Sequence, residues 1–155
     1  MKYYLSEYWI MMNSNNPAIR EEGKIKWIET AKKYGPYFET IRDKLPKGFV
    51  KEFDKNSWFH DFSIENITIT SSRNNTAVIE LIISHGEIVY NIVFSGIKGL
   101  EINIPSTLGL MGGMLTWGYS EFELNDNNTW TIRVLCDLEC EVEIIFQHLS
   151  IEKLL

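Results

Sequence analysis

The residues of this chain that could do chemistry are three histidines, two cysteines and a group of carboxylates, and their spacing decides which chemistry is open to them. His60 and Asp61 stand together inside Ser57-Trp58-Phe59-His60-Asp61-Phe62-Ser63-Ile64. A His-Asp pair suggests a general base with its orienting acid, or two metal ligands. A third member has to come from His148 or His85, and a nucleophile from one of many unmarked serines. Neighbours along a strand point to opposite faces, so a structural role is the stronger expectation. In that role Asp61 satisfies backbone N–H groups at a strand entry, while His60 lies mostly buried and bonds a carbonyl.

Cys136 and Cys140 fall within one predicted hairpin, and no second cysteine pair or histidine cluster completes a zinc set. They read as small core residues in a reducing compartment. No metal and no cofactor is expected. Glu121, Glu123, Glu141 and Glu143 surround Arg133 on one predicted sheet face. Such a face is ordinarily just solvated; its sharper meaning is a docking surface for a basic partner. Leu108, Leu110, Met111 and Met114 sit among Gly109, Gly112 and Gly113 directly after Pro105. Glycine-flanked apolar residues need a cover, either the domain itself or a second chain, and a homodimer is the simpler assembly.

The elements that must position these residues change character near Trp58. Tyr4, Leu5, Tyr8, Trp9 and Met12 recur at helical spacing. Asn16-Pro17 then caps and starts a second helix, with Trp27, Ile28, Ala31 and Tyr34 inward. Gly35-Pro36 is expected to end it and restart a short one, which Leu45-Pro46-Lys47-Gly48 closes. Phe49, Val50 and Phe53 allow one further helical turn. From Ile64 the period becomes two. Val78 to Ile83 and Ile88 to Phe94 are almost continuous apolar runs, a hairpin expected to be covered on both faces. Leu100, Ile102 and Ile104 form a further strand.

The last third fixes its own registers, because paired residues in an antiparallel sheet share a face. Phe122 must oppose Ile132, Trp130 must oppose Phe146, Val134 must oppose Val142, and Cys136 must face Cys140. Arg133 then lies between Glu121 and Glu143. The sum is an α+β fold: a helical front over residues 1–55 packed on a seven- or eight-stranded, mainly antiparallel sheet over 56–155, all in a single domain.

Size and charge narrow the function classes. The chain has 155 residues and a formal net charge of −6, an unfavourable balance for gripping a phosphate backbone, so no nucleic-acid partner is expected. No apolar run approaches the ~18 residues of a membrane span, and the start lacks a signal-peptide core. A cytoplasmic protein without membrane attachment is the expectation.

The segment Trp58-Phe59-His60-Asp61-Phe62-Ser63-Ile64 resembles the Phe-His-Asp-x-x-Ile/Val opening of several small bacterial families. Some of these are uncharacterised, and some are immunity proteins of polymorphic toxin systems. Tyr90-Asn91-Ile92-Val93-Phe94-Ser95-Gly96-Ile97 and Ile144-Ile145-Phe146 are similar to strands of those families. Met1-Lys2-Tyr3-Tyr4 and Glu7-Tyr8-Trp9 resemble the start of an uncharacterised Firmicutes-type family with a helical front. The resemblance implies a helical layer on an antiparallel sheet and, for function, a small cytosolic binding protein that neutralises a toxin. The residues expected to bind are Glu121, Glu123, Glu141, Glu143, Arg133, Leu110 and Met111. The alternative is a hydrolase using His60 and Asp61 with His148.

Overall fold

A computed structural model describes residues 1–71, 77–104, 115–137 and 140–155. The α+β expectation holds. Three helices, α1 (Ser6–Met12), α2 (Pro17–Ile41) and α3 (Lys47–Lys55), precede eight strands. The strands are β1 (Phe62–Ser71), β2 (Ala77–His85), β3 (Ile88–Ser95), β4 (Gly99–Asn103), β5 (Leu115–Leu124), β6 (Trp130–Cys136), β7 (Glu141–Phe146) and β8 (His148–Lys153). All pairings are antiparallel, in the order β4-β7-β6-β5-β1-β2-β3-β8.

Asn16 caps α2 as its side chain implies, accepting the Ala18 N–H at 3.0 Å. Gly35-Pro36, however, does not end the helix, which runs on to Ile41. Proline removes one backbone donor and crowds the preceding turn, at ~3 kcal/mol or more. The run continues because Tyr34 just before Pro36, and Phe38 and Ile41 beyond it, are all buried against the same core as Trp27. That buried line passes through Trp27 and leaves Ile28 53% exposed, so the inward stripe expected at Ile28 is corrected. Leu45-Pro46 opens α3, which is two turns and more rather than one.

The registers derived from the sequence are those observed: Phe122 opposite Ile132, Trp130 opposite Phe146 and Val134 opposite Val142. The Cys136 N–H bonds the Cys140 carbonyl at 2.8 Å. The β2–β3 hairpin differs from expectation. Ile79, Leu81, Ile83, Tyr90, Ile92 and Phe94 are buried, but Val78, Ile82, Val89 and Val93 on the other face are only half-buried. β-branched residues on both faces hid the alternation.

Strand β8, which the sequence did not single out, changes the shape of the sheet. Only Gln147 separates β7, near one end of the strand order, from β8 at the other end. β3 and β4 follow each other across a similarly short corner at Gly96, and β3–β4 pairs with β7–β8 as one bent ribbon. The ladder continues through the corner, with the Gln147 N–H on the Ser95 carbonyl at 3.0 Å and the Lys98 N–H on the Ile145 carbonyl at 2.7 Å. The sheet therefore curls until its margins meet, and Phe94 packs edge-on to Phe146 at 5.0 Å. Gly96 has φ +65°, and a Cβ there would come within 2.8 Å of the Gln147 Cβ, so the corner needs glycine twice over.

Among the described residues β5 pairs with β1 over three residues, Leu115–Trp117. Along the rest of that edge α2 supplies the hydrogen bonds. Tyr34 Oη accepts the Phe122 N–H at 2.6 Å and Tyr37 Oη accepts the Leu124 N–H at 3.2 Å. Two tyrosine hydroxyls thus stand where a neighbouring strand's carbonyls would be.

Candidate functional site

Between α3 and β1 the backbone turns left-handed. Ser57, Trp58, Phe59 and Asp61 have φ of 51°, 61°, 61° and 69°, and none of them is glycine. Each such residue costs roughly 1–2 kcal/mol against the right-handed region. Packing holds the knuckle in place. Phe59 is fully buried, with ring contacts to Phe49, Phe53, Phe62, Tyr90 and Trp117. Trp58 lies parallel on Phe53 at 5.8 Å. The turn closes through the Phe59 N–H on the Asn56 carbonyl at 2.9 Å and the His60 N–H on the Ser57 carbonyl at 3.2 Å. Asn56 is itself tied to the Glu52 carbonyl and to the Tyr90 hydroxyl.

The knuckle overturns the burial expected for His60 and the backbone-holding role expected for Asp61. Their side chains are 36% and 69% exposed, and Asp61 Oδ1 lies 3.0 Å from His60 Nδ1 rather than on backbone donors. Alternation fails here because Asp61 is not extended: its left-handed φ folds the carboxylate back onto its neighbour. The pair therefore has the contact geometry of a base and its orienter, with Nδ1 turned to the carboxylate. The His60 ring stands edge-on to Tyr119 at 4.9 Å.

His85, not His148, joins this pair. Its Nδ1 lies 3.1 Å from the Asp61 carbonyl oxygen, and its ring packs on Phe62 at 5.3 Å. His148 is opposite Ser95 on β8 and lines a separate recess with Lys44, Leu45, Pro46, Trp130 and Phe146. Among the described residues no group of three or more His, Cys, Asp or Glu is placed to hold a metal ion. No helix among them is long and apolar enough to cross a membrane.

The acidic face is real but partly occupied from within. By register Arg133 lies between Glu121 and Glu143. Its Nε donates to Glu143 at 2.5 Å, but its Nη1 reaches diagonally to Glu123 at 2.9 Å. Glu121 is engaged elsewhere. Only 1% exposed, its carboxylate accepts the Lys2 N–H at 2.5 Å and the Tyr3 N–H at 2.9 Å. The segment from Met1 to Tyr4 is an arm laid across this face, with the Met1 ammonium 3.0 Å from Glu141 and Lys2 Nζ 2.6 Å from Glu123. Tyr4 anchors the arm among Trp27, Tyr34 and Tyr119.

The net shifts of the two glutamates run in opposite directions. Desolvation holds the Glu121 carboxyl above its ordinary range despite the two backbone donors. Desolvation also pushes Glu123 upward, but hydrogen bonds from Lys2 and Arg133 outweigh it and leave that carboxyl below the usual range. Beyond the arm, Glu101 on β4 stands directly opposite Glu143. A polar recess of about 170 Å³ opens there, lined by Met1, Glu101, Asn103, Arg133, Glu141, Val142 and Glu143. Glu101 has no ion pair among the described residues.

Glu101, Tyr119 and the Met1–Tyr4 arm were absent from the sequence expectations, which placed Tyr4 on a helical stripe, although α1 begins only at Ser6, and named His85 as a possible third member for His60 and Asp61. Glu101 was legible, since it alternates with Leu100 and Ile102; the others depend on contacts between segments far apart in the chain. Leu108, Leu110, Met111 and Met114, expected to need a cover, lie outside the described residues.

No family model and no curated protein matches this chain. Among solved structures it is similar to an uncharacterised protein from Neisseria gonorrhoeae, at 16% identity and a TM-score of 0.42, over 61% of this chain and 92% of the other.

Proposed function

We propose that this chain is a small cytoplasmic binding protein that receives a basic segment of a protein partner on its acidic sheet face, and that the partner is a toxin it neutralises. The observation that carries the reading is the pair Glu101 and Glu143, two carboxylates directly opposed across β4 and β7 beside a polar recess. Like charges directly opposite each other destabilise a sheet, and a cation entering the recess relieves that repulsion. Arg133 already serves Glu123 and Glu143, and the Met1 ammonium serves Glu141, so Glu101 is the carboxylate left to receive an incoming lysine or arginine. A net charge of −6 would speed the encounter with a basic partner, more so at low salt.

The hydrolase alternative has the His60–Asp61 contact in its favour. His148, its third member, lies in a different recess.

Co-expression tests the binding reading. Genes neighbouring this one in its source genome are expressed singly, and any product that arrests growth is paired with the wild type and with Glu101→Lys/Asn103→Lys. Both substituted residues are exposed on β4, so the variant is expected to fold. The reading expects rescue by the wild type and loss of rescue by the variant at an unchanged melting temperature. A neighbourhood with no growth-arresting product, or a variant that protects as well as the wild type, sinks it.

A further inference from the structure

The acidic face already holds a peptide, the chain's own arm. Among the described residues, Met1 to Tyr4 make no backbone–backbone hydrogen bond to any strand. Carboxylates alone tie the backbone and the cations of the arm to the sheet. Glu121 accepts the Lys2 and Tyr3 N–H groups, Glu141 holds the Met1 ammonium and Glu123 holds Lys2 Nζ. Ion pairs contribute little where solvent reaches them, and the Lys2 side chain is 51% exposed. The apolar hold lies further along. Tyr4 is buried among Trp27, Tyr34 and Tyr119, whereas Tyr3 is half-buried against Tyr34 and Tyr37. The arm thus divides into a tip held mainly by charge and an anchor held by packing.

Charge decides what the tip does when a basic segment arrives. In the recess beside it, Glu101, Glu141 and Glu143 stand against Arg133 and the Met1 ammonium, three negative groups to two positive. One further cation, received at Glu101, balances the recess. A second finds no free carboxylate among the lining residues, since Glu143 serves Arg133 and Glu141 serves Met1. It also meets the Met1 ammonium within about 170 Å³, where like charges repel. It enters only by taking the seat of Met1 or of Lys2.

We infer, on the reading that this face receives a basic partner, that the Met1–Tyr4 arm is a displaceable strap. A partner segment with two or more basic residues expels the tip from Glu141 and Glu123, and the tip swings out about Tyr4. The tip also shows what the segment must carry. It has to replace two backbone N–H groups on Glu121 as well as the cations beside them. N–H groups inside a helix are already used, so the segment is a basic stretch of non-helical chain. A face that is covered part of the time binds more weakly in proportion, so loosening the tip tightens binding.

Hexalysine is the probe, titrated at low salt into the full chain and into Tyr3→Ala. That substitution removes the tip's ring contacts and changes no charge. Tyr3→Ala is expected to bind hexalysine several-fold more tightly than wild type. In wild type, bound hexalysine is expected to speed exchange of the Tyr3 amide several-fold and to leave the Phe122 amide, held by Tyr34, unchanged. Equal affinities, or a Tyr3 amide as protected in the complex as in the free protein, overturn the strap and leave the receiving face standing. Hexalysine that binds neither protein, or binds Glu101→Lys/Asn103→Lys as tightly as wild type, overturns the receiving face and the strap with it. If Tyr3→Ala fails to fold, the exchange measurement on wild type decides.

Discussion

Replacing Tyr34 by phenylalanine deletes one oxygen and leaves every ring contact in place. That oxygen accepts the Phe122 N–H at 2.6 Å, on an edge of β5 where β1 no longer pairs. Tyr34 is 1% exposed and Phe122 equally buried, so no water can take the hydroxyl's place without opening the helix–sheet contact. An orphaned buried donor costs about 1–3 kcal/mol. In a chain of 155 residues each kcal/mol lowers the melting temperature by about 2–4 °C, so a loss of about 2 kcal/mol appears as about 4–8 °C. Tyr37→Phe is the internal control. The same atom is removed from a longer 3.2 Å bond to the Leu124 N–H at a half-buried position, where solvent can substitute, and about 0.5 kcal/mol is expected. Alkaline titration adds a second reading. Burial holds the Tyr34 hydroxyl well above its ordinary value of 10.0, against the opposing pull of the Phe122 N–H. A folded value above the unfolded one means that the neutral ring's contribution is complete below pH 10.0 and is lost as pH rises beyond it. Melting temperatures should therefore fall above that pH, and fall less steeply in Tyr34→Phe. Equal losses for Tyr34→Phe and Tyr37→Phe would refute the idea that these hydroxyls replace a strand.

Three further outcomes are expected. Asp61→Ala should cost less than about 1 kcal/mol in urea unfolding, because an exposed pair with His60 contributes little; a loss above about 2 kcal/mol would restore a backbone-holding role. Burial pushes the Cys136 thiol up to about 12, so iodoacetamide at pH 8 should label it only after denaturation, and rapid labelling of the native protein would place the residue nearer solvent. Glu121→Ala leaves the Lys2 and Tyr3 amides without their acceptor, and their exchange should rise several-fold while that of the β6 amides is unchanged; equal protection in the variant would show that Tyr4 alone anchors the arm.

How much of this was legible beforehand depended on the range of the forces involved. The β5–β6–β7 registers could be read because each side chain has only two faces to choose from, and aligning Phe122, Ile132, Val134, Val142 and Phe146 on one face leaves a single pairing. Pro36 misled because its local penalty is visible in the sequence, whereas the burial of Tyr34, Phe38 and Ile41 that outweighs it is not. The His60–Asp61 geometry misled for a related reason. Left-handed backbone at non-glycine residues has no compositional mark, and it persists here only because Phe59 fills the centre of the core. The acidic face was read correctly as a set of residues and wrongly as open surface, since nothing near Glu121 announces that Lys2 and Tyr3 will cover it.

The corner at Gly96 and Gln147 bears on the order in which the protein folds. β1–β2–β3 and β5–β6–β7 are each a run of neighbouring antiparallel strands that can zip from local turns within microseconds. The bent ribbon is different: it brings Ser95 beside His148 and closes one meander onto the other, a contact whose chain-closure entropy is met only once both exist. That step falls late, and until it occurs Phe94 and Phe146, both fully buried in the finished sheet, face water. A side chain at position 96 would therefore act chiefly on the lifetime of that half-closed species. Gly96→Ala should slow the final refolding phase and favour aggregation during refolding, while the two meanders assemble at their usual rates.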